Sequence, residues 1–125
     1  MAPNTSWLAH TIDSTEYLYP MRYVSMMMNI GTTDVFDRWF ARLRDRQAAA
    51  RIQVRIDRVE DGHLGDCQPI GEGVHKMGLH FGPGYPLYFM RQRHRWVVLL
   101  AGGDKSTQPC DIATAKQIAR QLQES

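Results

Sequence analysis

The sequence has little cysteine and no long apolar run, and each shortage argues against a class of protein. Of 125 residues only two are cysteines, Cys67 and Cys110, and they form no CxxC motif. This argues against a disulfide framework or a zinc site and is typical of a reducing compartment. No apolar stretch approaches the roughly 18 residues that a membrane-spanning helix needs. We therefore expect a cytoplasmic protein with no metal, no cofactor and no membrane partner.

The residues that are present fit one small, mildly basic domain. The chain is 43% hydrophobic and 22% charged, with a mean hydropathy of -0.41 and a net charge of +2. Its Lys and Arg residues concentrate in two stretches, residues 38–58 and 91–95. Such a distribution favours a polyanionic partner, although a solvated helix face and a charged turn would give the same pattern.

The first residues differ in character from the rest of the chain. Residues 1–23 have neither helical nor strand periodicity and lack the segments of a secretory signal. We expect a poorly ordered N-terminal extension here, ahead of a domain over residues 24–125. One explanation is a mis-assigned start, with translation beginning at one of the methionines at 26–28. The alternative is an extension that packs Trp7 or residues 17–19 on the domain.

A weak strand pattern over residues 24–30 precedes the first helix signal. Gly31 and Thr32 would end that strand, and Thr33 or Asp34 can cap a helix. One apolar face with helical spacing follows, formed by Phe36, Trp39, Phe40 and Leu43. We expect these aromatic side chains in the core or against a protein partner rather than stacked on nucleic acid.

The remaining pattern predicts one more helix, several strands and a final helix. After a break near residues 45–47, an apolar stripe predicts a helix that Gly62 can end. A two-residue period then predicts strands over 76–81, 85–90 and 96–100, and helical spacing returns over 112–122. The order indicates an α+β fold: two N-terminal helices packed on an antiparallel sheet of three to five strands, plus a C-terminal helix.

Four segments of the sequence together resemble one known family. In chain order they are TDVFDRWFARLRDRQAAARIQVRIDR, GDCQPIGEGV, FGPGYPLYF and VVLLAGGDKSTQ. The densest matches within them are GEGV, GPGY and GGDKSTQ. Over about residues 29–122 the chain thereby resembles the RelE/ParE superfamily of toxins, in the HigB-like, phage-derived branch of addiction-module killer proteins. The resemblance implies the microbial RNase-type fold of the RelE toxins.

The resemblance also implies a function and partners. It indicates the toxin component of a type II toxin–antitoxin system, partnered by a HigA-like helix-turn-helix antitoxin, the ribosome and mRNA. Many such toxins enter the ribosomal A site and cleave mRNA without a metal, by transferring the phosphodiester to its own 2′-hydroxyl. That reaction needs a base, cations for the phosphate and an acid for the leaving oxygen. The alternatives are a ParE-like inhibitor of DNA gyrase and a non-catalytic antitoxin-binding module.

Two positions depart from the pattern that the resemblance implies. Gly78 and Pro86 stand where the family has arginines, and losing one such charged donor costs about 3 kcal/mol of transition-state stabilisation. Pro86 would also remove an amide from a strand, which indicates an edge, a bulge or a local loss of pairing. The endoribonuclease is expected to be weakened unless neighbours substitute. The candidate catalytic residues are Lys76, His80, Tyr88, Asp104 and Lys105.

Each candidate also has a structural interpretation. A strand histidine such as His80 is more often structural than catalytic. Tyr88 could stack on a base or simply pack in the sheet. Asp104 could orient Lys105, or the pair could cap and close the loop before the last helix. Arginines are expected to bind RNA or the ribosome through phosphates, with a solvated helix face as the alternative; they are Arg42, Arg46, Arg51, Arg55, Arg91 and Arg93.

Overall fold

The computed structural model describes residues 28–79, 84–93 and 96–124. Within them the chain forms β1 (Asn29–Thr32), α1 (Asp34–Arg42), α2 (Arg46–Glu60), β2 (Cys67–Gly71), β3 (Val74–Met77), β4 (Leu87–Gln92), β5 (Trp96–Gly102), a short 3-10 helix (Lys105–Thr107) and α3 (Gln108–Glu124). The α+β class and the C-terminal helix are confirmed. None of the helices in these ranges has the length and apolar character of a membrane span.

The five strands form one mixed sheet in the order β1-β5-β4-β3-β2. β1 runs parallel to β5, with Asn29 opposite Trp96, and the other neighbouring strands are antiparallel. The expectation of an antiparallel sheet was wrong at this edge. Two parallel neighbouring strands need a long crossover connection, and the elements between β1 and β5 provide it. The description of the two helices as N-terminal was also wrong, since β1 precedes α1, in the order that the weak strand pattern over residues 24–30 had indicated.

Several strand boundaries differ from the predicted ones. β1 continues through Gly31 and Thr32, which were expected to end it. β3 ends at Met77, although the two-residue period predicted a strand over 76–81. β5 continues to Gly102, two residues beyond the predicted end at 100. The predictions for residues 1–27, the turn at 82–83 and the side chain of His80 fall outside the described residues.

Local hydrogen bonds explain where the first two helices begin and end. The Thr33 hydroxyl accepts from the Phe36 amide at 3.1 Å and donates to the Leu100 carbonyl at 2.7 Å. The predicted cap is therefore confirmed, and it also fastens the start of α1 to β5. Asp45 caps α2 through the Ala48 amide at 3.0 Å. Gly62, with φ of 96°, follows the end of α2 as predicted.

Helices cover both faces of the sheet. On one face, buried residues of α1 and α2 pack against alternate residues of β3, β4 and β5; this cluster includes Phe36, Ile52, Val59, Met77, Leu87, Phe89 and Leu99. On the other face α3 packs through Ala115 and Ala119 on a cluster that includes Val74, Tyr88, Met90 and Leu100. Trp39 and Phe40 pack partly buried against the first cluster, so the expected core role of the aromatic stripe is confirmed.

Candidate functional site

A cavity of about 460 Å³ opens at the end of the sheet where β3 ends and β4 begins. Four separate segments line it: the start of β2, the end of β3, the residues ahead of β4, and the 3-10 helix with the first residue of α3. The lining residues are Asp66, Cys67, Gln68, Lys76, Gly78, Leu79, Gly84, Tyr85, Pro86, Lys105 and Gln108. Two candidate lysines and both positions without the expected arginine thus share one cavity.

Three of the sequence segments that carry the family resemblance meet at this cavity. Asp66, Cys67 and Gln68 of GDCQ form its β2 wall, Gly84 and Tyr85 of GPGY lie ahead of β4, and Lys105 and Gln108 of GGDKSTQ form the side of the 3-10 helix. GEGV lies elsewhere, at the β2–β3 turn, where Glu72 has φ of 56°. There the Glu72 carboxylate accepts from Arg120 of α3 at 2.5 Å. One dense motif therefore contacts α3 through an exposed ion pair, and described residues of the other two line the cavity.

The backbone beside the cavity accommodates Pro86 without losing a ladder hydrogen bond. Pro86 lies one residue ahead of β4, and its carbonyl accepts from the Gly103 amide at 3.3 Å. The preceding Tyr85 amide donates to the Leu79 carbonyl at 3.3 Å. Pro86 therefore stands just ahead of the paired residues of β4, so its missing amide costs no ladder hydrogen bond.

Two of the three lysines in the chain line the cavity, Lys76 and Lys105. Lys76 lies on β3, opposite Tyr88 of β4. The stem of Lys105 passes close to Gly84, where an added Cβ would lie 2.8 Å from its Cε atom. Within the described ranges neither ammonium group has a hydrogen bond or an ion pair. Both charges are thus available to an anion.

Asp104 caps the 3-10 helix from which Lys105 projects. One carboxylate oxygen accepts from the amides of Ser106 at 2.9 Å and Thr107 at 3.2 Å, and from the Ser106 hydroxyl at 2.6 Å. The hydrogen bond from the Ser106 hydroxyl, helped by the amide bonds, lowers the pKa of Asp104 below its ordinary value of 3.8. Its carboxylate is thus committed to the backbone, and it positions Lys105 through the turn.

Tyr88 is fully buried between the sheet and α3. Burial, with a smaller contribution from the Asp111 charge, raises its pKa from 10.0 to about 12. Among the described residues its hydroxyl has no hydrogen-bond partner. The ring packs in the sheet and presents no open face on which a base could stack. On the opposite face His75 stacks on Phe89, with ring centroids 5.3 Å apart.

The arginines expected to bind RNA lie in different places. Arg55 donates to the Asp66 carbonyl at 3.2 Å and so stands beside the cavity wall. Arg91 and Arg93 lie at the far end of β4. About seven residues of extended chain separate Arg93 from Pro86, which corresponds to roughly 20 Å. The others are on or beside the helix pair: Arg42 ends α1, Arg46 begins α2 and Arg51 follows on α2. The cavity thus gathers only part of the predicted basic surface.

Tyr85 both lines the cavity and belongs to the core cluster between the sheet and the helix pair. Burial, together with the charges of Asp45 and Asp104, raises the pKa of Tyr85. Tyr85 is only 8% exposed, so its ring forms a wall between the helix pair and the cavity. The phenol therefore stays protonated and can act as a donor.

Seven lining residues were not singled out as site residues from the sequence: Asp66, Cys67, Gln68, Leu79, Gly84, Tyr85 and Gln108. All except Leu79 lie inside the segments that carry the resemblance, and that was the available signal. The Cys67 thiol donates to the Leu64 carbonyl at 3.4 Å, and burial raises its pKa against the opposing charge of Arg55. Across the described ranges, no three His, Cys, Asp or Glu side chains gather as metal ligands would.

Comparison with known proteins identifies one relative over most of the chain. An uncharacterized protein from Haemophilus influenzae is 40% identical over 97 residues, which are 78% of this chain and 98% of that protein. The chain belongs to the same family as this Haemophilus influenzae protein. No model of a known protein family matches the sequence. Because the match spans nearly all of the Haemophilus protein, the two members are expected to share this fold.

Proposed function

We propose that this protein is the toxin component of a type II toxin–antitoxin system and acts as a ribosome-dependent mRNA interferase with a RelE-like form of the α+β fold. The supporting observation is that one cavity holds two lysines without described partners, Lys76 and Lys105, together with both positions where RelE-type toxins have arginine. The proposed partners are the ribosome, mRNA and a HigA-like antitoxin in the cytoplasm.

The proposed reaction is transfer of an RNA phosphodiester to the neighbouring 2′-hydroxyl. A base takes the 2′-hydroxyl proton, the 2′-oxygen bonds to phosphorus, and the bond from phosphorus to the 5′-oxygen breaks. An acid protonates that oxygen, which leaves a 2′,3′-cyclic phosphate and a 5′-hydroxyl. Lys76 and Lys105 would stabilise the charge on the pentavalent phosphate. The candidates for the base and the acid are Asp66 and Tyr85, the lining residues that carry a carboxylate and a phenol.

The decisive experiment follows cleavage of a reporter mRNA in a cell-free translation mixture. We expect weak ribosome-dependent cleavage by the wild type and faster cleavage by Gly78→Arg, Pro86→Arg and the double variant. Ala113→Arg, on the exposed side of α3, adds the same charge away from the cavity and should change nothing. Inactivity of the wild type and of all cavity variants would overturn the nuclease proposal. Loss of gyrase supercoiling activity without mRNA cleavage would favour the ParE-like alternative.

A non-catalytic antitoxin-binding module is the second candidate. It is supported by the absence of arginine at Gly78 and Pro86. It is also supported by the structural roles of Asp104, which caps the 3-10 helix, and of Tyr88, which is buried in the sheet. Normal growth during overexpression, combined with tight binding to a helix-turn-helix protein encoded beside the gene, would favour it. Growth arrest that the same neighbour relieves would favour the toxin.

A further inference from the structure

Each of the two cavity lysines has a glutamine close to it, one on the neighbouring strand and one three residues later in the chain. Gln68 of β2 lies directly opposite Lys76 of β3 in the strand register. Gln108, the first residue of α3, follows Lys105 by one turn of the 3-10 helix. Both side chains line the cavity. Two pairs of one cation and one carboxamide, from separate elements, therefore surround the same space.

The cavity is larger than a phosphate group requires. Gly78 and Pro86 line it without a long side chain, so the space that two arginine side chains would fill stays open. Its volume of about 460 Å³ falls within the roughly 300–1,000 Å³ of pockets that hold small organic ligands. Leu79 and Tyr85, both nearly buried, add apolar surface to the lining. Such a wall suits the face of a ring.

We propose that this cavity binds one whole nucleotide, with its phosphate between Lys76 and Lys105 and its base read by the amides of Gln68 and Gln108. That the nucleotide belongs to an RNA strand rests on the function proposed above. Lysine charges position a phosphate but do not distinguish bases. A carboxamide offers both donors and an acceptor, and unpaired bases are read through hydrogen bonds on their edges. The glutamines are therefore the specificity-determining residues.

The test measures binding of nucleoside 3′-monophosphates with each of the four RNA bases, and of inorganic phosphate, to the full chain by calorimetry. We expect the wild type to rank the four nucleotides over about a fivefold range or more in Kd. Gln68→Leu and Gln108→Leu should compress that range to about twofold and leave binding of inorganic phosphate unchanged. These variants keep side-chain size and remove only the amide.

The lysines have a different expected signature. Lys76→Gln and Lys105→Gln should weaken binding of all four nucleotides and of inorganic phosphate by about tenfold each, because a hydrogen bond to a charged group is lost. Lys116→Gln, on α3, is the matched control and should bind like the wild type.

The outcomes separate this proposal from the nuclease proposal. Equal affinity of the wild type for the four nucleotides, or a ranking unchanged in both glutamine variants, would overturn the nucleotide pocket whatever the cleavage assay shows. A glutamine-dependent ranking without mRNA cleavage would support the pocket and count against the nuclease. Far-ultraviolet circular dichroism of every variant should match the wild type, so that loss of folding is not read as loss of binding.

Discussion

At the scale of single residues, the carboxylate of Asp104 holds the turn that presents Lys105 to the cavity. Asp104→Ala removes the acceptor for two backbone amides, and we expect the free energy of unfolding to fall by about 1 kcal/mol. Asp104→Asn keeps an acceptor oxygen and should lose less. Urea denaturation of the three proteins measures the difference, and equal stability of wild type and alanine variant would contradict the capping role.

The same hydrogen bonds predict a dependence on pH. They lower the pKa of Asp104 in the folded state below its ordinary value of 3.8. The charged cap therefore stabilises the fold above that value, and this contribution is lost as the pH falls through the lower, folded-state pKa. We expect the stability difference between wild type and Asp104→Asn to shrink in acid. A difference that stays constant from neutral pH into acid would count against the assignment.

Tyr88 predicts the opposite dependence, at the alkaline end. Its pKa is raised from 10.0 to about 12, so folding favours the neutral phenol. The resulting stability is fully present below pH 10 and is lost as the pH rises toward 12. Tyr88→Phe should lose less stability than the wild type over that interval. At neutral pH the variant should be as stable or slightly more stable, because it removes a buried hydroxyl that lacks a described partner.

Tyrosinate absorbance gives an independent check on Tyr88. A pH titration of the folded wild type should contain late-ionising phenols from Tyr85 and Tyr88, and the Tyr88→Phe titration should lack the Tyr88 phenol. If all wild-type phenols ionise together near the ordinary value, the buried position of Tyr88 is wrong.

The sequence predicts some of these residues better than others. Lys105 and Pro86 could be named from motifs, Lys76 and Gly78 from the predicted strand over 76–81, and the structure brings all four to one cavity. Asp66 and Gln68 could not be named, because their place in the cavity depends on which strand lies beside β3, and Gln108 could not, because its place depends on how α3 packs on the sheet. No local pattern encodes either arrangement. The side chain of His80 lies outside the described residues, so its proposed role stays a prediction.

At the scale of elements, α1 packs tightly on β5 where the Trp39 ring lies against Gly102. An added Cβ at Gly102 would lie 2.5 Å from the Trp39 ring, whereas at Gly31 the nearest side-chain atom, on Trp96, is 3.6 Å away. Overpacking a rigid contact typically costs about 1–3 kcal/mol. We expect Gly102→Ala to be destabilised by that amount.

Gly31→Ala is the matched control, since Gly31 also lies in a strand beside an indole ring. It should be neutral or stabilising, because alanine gives up less conformational freedom than glycine on folding. Thermal melts of the two variants make the comparison. Equal melting temperatures would show that α1 can move away from the sheet without cost.

Elements with local signals were predicted, and elements defined by distant partners were not. The starts of α1 and α2 follow from capping side chains and helical spacing within a few residues. The direction of β1 relative to β5 depends on a pairing between opposite ends of the domain. β2 gave no alternating pattern, because it is an exposed edge strand with Pro69 and an irregularity before Gly71.

At the scale of the whole molecule, a net charge of +2 is too small for strong non-specific attraction to RNA, so affinity must come from local contacts. Each phosphate contact to a single strand contributes a slope of about 0.7 to the salt dependence of binding. With one phosphate held between Lys76 and Lys105 we expect a slope of about 0.7 for a short RNA. The Lys76→Gln/Lys105→Gln double variant should remove most of it, and Lys116→Gln should leave it unchanged.

Fluorescence anisotropy over a salt series measures these slopes. A slope far above that value and insensitive to both cavity lysines would assign RNA binding to the arginines of the helix pair instead. Those on or beside the two helices are Arg42, Arg46, Arg51 and Arg55.

The parallel pairing of β1 with β5 has a consequence for how the protein is made. The Thr33 hydroxyl at the end of β1 bonds to a carbonyl 67 positions later. A ribosome adding about 5–20 residues per second needs several seconds to synthesise that interval. During this time α1 and α2 lack β5, one of the strands against which their apolar side chains pack. The nascent chain is therefore a substrate for chaperones and proteases until its last strand emerges, and the cavity assembles only after β5 and α3 have left the exit tunnel.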